Sequence, residues 1–245
     1  MTGRALKRTS AGNPLVPLVG RREEVRALSS AVRVRQSRLI IGPAGIGKTR
    51  LLQESLPASG QPFVRLDGPF VLHGLLVDLA ERLHCRCARF PDVRRATSMA
   101  LKPLVLDALR QSPQCVVLED VSSADPRMYR FLQKVYYAGD GCLVVTARSR
   151  DCLGCLRKLL WDPEGEIALQ PLNRPEALLL FEEACRVFRL ESLDLGEFRR
   201  KVLAAAQGNP GQIVAMCRMA ARPEYQRGRY IKFLPLRIDV LSALA

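Results

Sequence analysis

The chain has 245 residues, of which 48% are hydrophobic and 25% are charged, so it can form a folded core and is not disordered throughout. No run of 18 apolar residues occurs, which argues against a transmembrane helix, and the basic start lacks the apolar stretch of a secretory signal; we therefore expect a cytoplasmic protein. The net charge is +14, with +7 in residues 1–38 and +4 in residues 218–245, so the charge is concentrated at the two ends.

Strands and helices alternate over the first 170 residues. The strands are apolar throughout rather than alternating with polar residues, which is typical of strands buried on both faces of a parallel sheet. The helices are indicated by apolar residues that recur every three or four positions. We predict helices over 21–34, 49–56, 71–83, 93–110, 126–137 and 152–160, and strands over 38–41, 63–66, 115–118, 142–146 and 166–169.

From residue 175 onward the pattern is helical only, with strong runs over 175–189, 195–206 and 210–221. The segment 229–241 then alternates basic and apolar residues. Such a pattern is compatible with an edge strand, a partner-docking segment or an interfacial anchor, and the sequence does not choose between them. The chain is thus predicted to be an α/β core followed by a smaller helical block.

A glycine-rich turn follows the first predicted strand and leads directly into a helix. It matches the phosphate-loop pattern G-x-x-x-x-G-K-[ST] in full. The glycines let backbone N–H groups point at phosphate oxygens, the lysine supplies a charge for the β- and γ-phosphates, and the threonine hydroxyl can ligate Mg²⁺. The pattern predicts a nucleoside triphosphate site formed by Gly42, Pro43, Ala44, Gly45, Ile46, Gly47, Lys48 and Thr49.

Two acids, Glu119 and Asp120, directly follow the apolar strand 115–118. A carboxylate beside a buried strand end is costly unless a cation is present, so this pair is predicted to belong to the magnesium site with Thr49. Asp125 stands before a proline, where it is either a third acid of the site or a helix N-cap, and we favour the cap.

These residues together resemble the ATPase module of AAA+/STAND proteins, most of all the branch of origin-recognition-type and regulatory switch ATPases. The resemblance implies a P-loop NTPase fold, in which helices sandwich a parallel sheet and a small helical lid follows. It implies that Val19, Gly20 and Arg21 lie beside the adenine. The implied organisation is a flexible basic tail over 1–14, an ATPase core over 15–171, a lid over 172–222 and a basic and apolar tail over 223–245.

The same resemblance implies the catalytic roles. Glu119 takes the magnesium-side position, where Asp is usual, and Asp120 takes the catalytic position. Thr146 ends a strand similar to the sensor-1 strand and faces the attacking water, while Arg148 reaches the γ-phosphate. Lys48 serves both binding and catalysis.

The nucleotide-binding set implied by the resemblance extends beyond the phosphate loop to Arg50 and Pro210. Gly208-Asn209-Pro210 resembles the lid motif whose proline packs on the base or ribose; the plainer alternative is a common helix stop. Likewise, a threonine at the end of a core strand is often only a strand residue. Where many AAA+ proteins carry a sensor-2 arginine after this glycine, the chain has Gly211 and Gln212, which favours the STAND side.

Eight cysteines occur, and most are expected to be small buried hydrophobic residues. Cys85 and Cys87 with Cys152 and Cys155 are the only candidates for a metal site, although their spacing matches no standard arrangement.

Three hypotheses for function follow. The first is a regulatory switch that binds Mg²⁺ and ATP, hydrolyses it slowly to ADP, and acts on a protein partner or as a homo-oligomer. The second is a DNA-associated oligomeric ATPase that uses its basic termini for phosphate contacts. The third is a scaffold that keeps its nucleotide without turnover.

Overall fold

The computed structural model describes residues 16–86, 92–138 and 141–244. The basic tail predicted over residues 1–14 lies outside these ranges. Within them, no helix is both long and apolar enough to cross a membrane.

The described residues form two compact units. The core unit spans residues 21–170, and the helical unit joins residues 16–20 to residues 171–244. We predicted that the core begins at residue 15, but the segment 16–20 belongs to the helical unit. Val16 is buried in the helical unit among apolar side chains from its helices, which explains this assignment.

The core unit contains a five-stranded sheet in which every neighbouring pair of strands is parallel. This confirms the parallel sheet predicted from the apolar strands. The strand order is β2-β3-β4-β1-β5, with β1 (Arg38–Ile41), β2 (Phe63–Asp67), β3 (Cys115–Val121), β4 (Cys142–Ala147) and β5 (Glu166–Ala168).

Helices cover both faces of this sheet. The helices are α1 (Arg22–Arg33), α2 (Lys48–Ser59), α3 (Leu72–Arg82), α4 (Ser98–Gln111) and α5 (Pro126–Tyr136). Because successive strand residues point to opposite faces, Val117 packs in one apolar cluster with residues of α1 and α2, and Leu118 packs in another with residues of α3, α4 and α5. The predicted sandwich is therefore present.

Two predicted helices of the core unit differ in the structure. The helix predicted over 93–110 is a short 3-10 turn (Val93–Arg95) followed by α4, which begins after Thr97 because that side chain accepts a hydrogen bond from the Ala100 N–H and caps the helix. The helix predicted over 152–160 is a 3-10 segment (Asp151–Lys158) interrupted at Gly154, whose φ of 54° and ψ of −127° are not helical.

The helical unit packs four helices around its own apolar core. Asn173 caps the first of them through a complete capping box with Glu176, which is a strong local start signal. The helices are α6 (Arg174–Val187), α7 (Leu195–Ala206), α8 (Pro210–Ala220) and α9 (Phe233–Leu244).

Residues 223–244 are part of this unit, although we predicted them as a separate tail. A short hairpin of β6 (Gln226–Arg227) and β7 (Tyr230–Ile231) precedes α9, which buries Leu236 and Val240. The Tyr225 hydroxyl donates a hydrogen bond to Asp239 across 2.5 Å. The segment is therefore not an edge strand of the main sheet. The helix α9 was not predicted because it carries apolar residues on its exposed side as well as its buried side, so the sequence shows no helical periodicity there.

Candidate functional site

The glycine-rich turn connects β1 to α2 in the core unit. Gly42 has a φ of 154°, and a Cβ at this position would lie 2.9 Å from the Ile46 Cγ2 atom and 3.2 Å from the Leu169 carbonyl oxygen. A side chain at position 42 would have to displace these two atoms, whereas glycine does not. The turn therefore has the strand-loop-helix context that the sequence motif requires.

The N-terminus of α2 has the features of an anion site. The helix begins at Lys48 after Gly47, whose φ of 104° is left-handed, and no side chain caps it. Its first turn contains no acidic residue. The first N–H groups of a helix lack partners within the helix and carry a partial positive charge, so this end favours a phosphate.

Lys48 is buried at the start of this helix. Its Nζ donates hydrogen bonds to the carbonyl oxygens of Gly42, at 2.6 Å, and Pro43, at 3.1 Å. Burial lowers the pKa of Lys48, while Asp120 acts in the opposite direction. A buried ammonium group costs free energy unless a partner compensates it, and an anion bound at the start of α2 would do so.

The two predicted site acids, Glu119 and Asp120, lie at a bulge in β3. Leu118 pairs with Val145 and Val121 pairs with Ala147, so β3 has one more residue than β4 over this stretch. Asp120 takes up the extra residue in a left-handed conformation, with a φ of 51°. Glu119 is buried and Asp120 is exposed.

Glu119 is held by two partners. The Thr49 hydroxyl donates to its Oε2 across 2.8 Å, and the Arg65 guanidinium forms an ion pair with its Oε1. Burial raises the pKa of Glu119, and the Thr49 hydrogen bond and Arg65 oppose this rise. A carboxylate and a hydroxyl beside an anion-binding loop are the hard oxygen donors that Mg²⁺ prefers, so the residues present fit that ion.

Asp120 lies next to the other two predicted catalytic residues. Its backbone N–H donates to the Thr146 Oγ1 atom across 2.9 Å, and its Oδ1 lies 3.9 Å from the Arg148 Nε. Thr146 is fully buried, whereas Arg148 is exposed. The structure thus brings Lys48, Thr49, Glu119, Asp120, Thr146 and Arg148 to the carboxyl ends of neighbouring parallel strands, where α/β sheets bind ligands.

Two further predicted nucleotide-binding residues of the core unit are engaged in local contacts. Arg21 is buried, forms an ion pair with Glu24 at 2.9 Å and donates to the carbonyl oxygen of Gln170. Arg50 forms an ion pair with Glu54 at 2.7 Å along α2. Their roles in nucleotide binding stay predictions.

Val19, Gly20 and Pro210 lie in the helical unit. Gly20 has a φ of 69°, and a Cβ there would overlap the Glu176 carboxyl group at 2.6 Å. Pro210 is the first residue of α8, and Asn209 caps that helix by accepting from the Gln212 N–H. The segment 208–210 is therefore a helix boundary, and its contact with a nucleotide stays a prediction.

The remaining polar candidates are structural or unplaced. Asp125 accepts a hydrogen bond from the Met128 N–H at 2.7 Å, which confirms that it caps α5. Across residues 16–86, 92–138 and 141–244, no group of three or more His, Cys, Asp or Glu side chains is arranged to hold a metal ion. Of the four cysteines considered for a metal site, Cys87 lies outside the described ranges.

Arg65, which contacts Glu119, was not predicted as a site residue. The available signal was a charged residue in the middle of an otherwise apolar predicted strand, whose side chain needs a partner when the strand is packed in a sheet.

Comparison with known proteins gives structural likeness alone. No protein-family model matches the chain, and no curated protein matches it. Many solved structures do. The Walker-type ATPase of Pyrococcus abyssi has a TM-score of 0.60 at 17% identity, and the match covers 92% of this chain and 72% of that one.

Two other solved structures represent the two branches named by the resemblance. The ORC1 protein of Aeropyrum pernix, solved in complex with DNA, has a TM-score of 0.64 at 14% identity, covering 94% of this chain and 66% of its own. A STAND protein with a tetratricopeptide repeat sensor from Pyrococcus horikoshii has a TM-score of 0.55 at 20% identity, covering 95% of this chain and 34% of its own. These matches are all below 25% identity, and they confirm the predicted P-loop NTPase fold.

Proposed function

We propose that this chain binds ATP with Mg²⁺ and hydrolyses it slowly as a regulatory ATPase. The observation that carries the proposal is the buried Lys48 at the uncapped start of α2, next to the Glu119–Thr49 pair. A positive helix end, an ammonium group and a carboxylate with a hydroxyl are what a magnesium nucleotide requires of a protein.

The chain's own residues divide the work of hydrolysis. Lys48 and the N–H groups of the loop bind the phosphates, and Arg148 stabilises the charge that develops on the γ-phosphate. Asp120 orients the attacking water and takes up its proton on a carboxylate oxygen. Thr146 fixes the backbone from which Asp120 projects. Thr49, Glu119 and Asp120 would hold Mg²⁺, which would neutralise charge on the phosphates.

The regulatory part of the proposal is supported by the likeness to origin-recognition and STAND structures, which include one solved with ADPNP and ADP. A protein partner or a second copy of the chain would sense whether ATP or ADP is bound. Val19, Gly20, Arg21, Arg50 and Pro210 remain proposed nucleotide contacts on the sequence resemblance alone. A cytoplasmic location likewise stays a prediction.

The test is the variant K48A, with ATP binding followed by calorimetry and hydrolysis by phosphate release. We expect binding to weaken by about 100-fold or more, because the loop loses its only side-chain charge for the phosphates. The matched control is K134A, which removes an exposed lysine from α5 of the same unit. Wild-type turnover in K48A would overturn the proposal, and a tightly held nucleotide that is never hydrolysed in wild type would favour the scaffold hypothesis.

A second candidate function, contact with DNA, is favoured by the charge of the helical unit. Between residues 218 and 237 it exposes six basic side chains, and Tyr230 of the hairpin is exposed as well. One structural neighbour was solved on DNA. The basic residues are Arg218, Arg222, Arg227, Arg229, Lys232 and Arg237.

Salt dependence decides this second candidate. If the basic residues contact phosphates, the DNA affinity falls steeply with salt, and the double variant R227A/R229A reduces the slope of log K against log salt by about 1 to 2. R110A, which removes an exposed arginine paired with Asp107 in the core unit, serves as the control. Affinity that does not change with salt would remove DNA as a partner.

A further inference from the structure

Arg65 is a charged residue in the centre of β2, one of the two edge strands of the main sheet. Its strand neighbours Val64 and Leu66 are buried on the face covered by α3. Arg65 therefore lies on the opposite face, which it shares with Val117 on β3, its partner in register. That face is covered by α2, the helix that follows the phosphate loop.

The guanidinium of Arg65 reaches the site acid diagonally across the two strands. Asp67 stands opposite Glu119 in the sheet, and Arg65 is two residues before Asp67 on the same face. Arg65 forms an ion pair with Glu119 through Nε and lies 3.7 Å from the Asp67 carboxylate through Nη2. With the Thr49 hydroxyl on the other oxygen, both oxygens of the Glu119 carboxylate are held.

This ion pair is sheltered from water on the acid side. The Glu119 side chain is 6% exposed and the Arg65 side chain is 27% exposed. A buried carboxylate without a countercharge is strongly disfavoured, and a guanidinium stays charged at every physiological pH. Arg65 thus supplies a permanent positive charge at the carboxylate that the proposed function assigns to the metal side.

We propose that Arg65 is a positioning residue that acts as a resident countercharge of Glu119, so that nucleotide binding in this chain depends less on Mg²⁺ than it would with Glu119 unpaired. The inference rests on the proposed function. Arg65 offsets the repulsion between the carboxylate and the nucleotide phosphates when no metal is bound, and it reduces the attraction of the same carboxylate for Mg²⁺ when metal is present. Both effects bring the affinities with and without metal closer together.

The test measures the dissociation constant of ATP for the full chain in excess Mg²⁺ and in EDTA. The variant R65Q keeps hydrogen-bonding capacity toward Glu119 and removes the charge. We expect the ratio of the EDTA value to the Mg²⁺ value to rise about 10-fold over wild type in R65Q. R65K, which keeps the charge, is expected to restore the ratio to within about threefold of wild type. R94Q, which removes an exposed arginine paired with Glu81, should leave it unchanged.

Thermal unfolding without metal gives a second measurement. R65Q is expected to lower the melting temperature by about 3 to 8 °C, because Glu119 stays buried with its charge unpaired, and E119Q/R65Q recovers most of the loss. Equal metal ratios in wild type and R65Q, or a ratio in R65K as high as in R65Q, would overturn the inference while leaving nucleotide binding intact. Absence of ATP binding in wild type would instead overturn the proposed function.

Discussion

The core unit and the helical unit use their polar residues in different ways. Within the described ranges, all seven buried polar or charged residues lie in the core unit, and four of them are predicted site residues: Arg21, Lys48, Glu119 and Thr146. In the helical unit the predicted site residues are Val19, Gly20 and Pro210. The structure explains the last two through local packing and a helix boundary.

The contrast shows which observations point to a ligand. A buried ammonium or carboxylate costs free energy unless a partner compensates it. Glu119 has the Arg65 guanidinium as its countercharge, whereas the Lys48 ammonium donates to backbone carbonyl oxygens, so Lys48 is the residue that favours an anion beside it. A glycine that lies against a carbonyl oxygen, or an asparagine that caps a helix, is sufficiently explained by the fold itself. In the core unit, the buried Lys48 therefore supports a ligand site. In the helical unit, Gly20 and Pro210 are explained by packing and by a helix boundary.

The largest effect is expected from D120N, which tests the functional side of the contrast. Asparagine tolerates the left-handed backbone and keeps the fold, but it cannot take up a proton from water. We expect ATP hydrolysis in single turnover to slow by about 100- to 1,000-fold while ATP affinity stays near wild type. D125N, which alters the acid that caps α5, is the control and should keep the wild-type rate. An undiminished rate in D120N would remove Asp120 from the mechanism.

A smaller effect is expected from G208A, which tests the structural side. Gly208 has a φ of 77°, and a Cβ there would lie 2.4 Å from the Leu172 carbonyl oxygen. We expect the free energy of unfolding, measured with denaturant, to fall by about 2 to 4 kcal/mol. The matched control is G228A in the hairpin, which has a φ of 60° with no atom within 4 Å of the added Cβ. It should cost only about 1 kcal/mol. Equal losses would show that packing at Gly208 is unimportant.

The smallest effect concerns pH. Burial lowers the pKa of Lys48 from the ordinary lysine value of 10.5. Bound phosphates favour the ammonium form of Lys48. ATP affinity is therefore highest while Lys48 is protonated, and it declines as the pH rises through the lowered pKa. We expect a loss of a few fold between about pH 7 and pH 10. In K48R the charge persists over this range, and its affinity should vary less with pH. A flat wild-type profile up to the ordinary lysine value would contradict the prediction.

Much of the fold follows from the sequence because the strands of the core unit are short, apolar and separated by helical periods. The five strands and the P-loop helix lie within a few residues of their predicted positions. The helix α9 and the hairpin before it could not be predicted in the same way. Their apolar residues face both the core and the exterior, and the small hairpin pairs only two residues on each strand.

The site residues also differ in how far they could be predicted from the sequence. Lys48, Thr49 and Glu119 are adjacent to elements with clear local signals, so their proximity follows from parallel strands ending at one edge of the sheet. The role of Arg65 could not be predicted without the sheet order, because its ion pair with Glu119 depends on β2 and β3 being neighbours. These two strands lie about 50 residues apart in the chain. The bulge at Asp120 could not be predicted either, because it leaves no signal in residue types alone.

The backbone at Asp120 also limits which amino acids the position can accept. A left-handed φ of 51° is tolerated by asparagine, aspartate and glycine far better than by residues with longer side chains. Of the two acidic residues, the shorter is therefore the one that this backbone conformation favours at position 120. Exchanging the two acids would place the longer one where the chain accommodates it least.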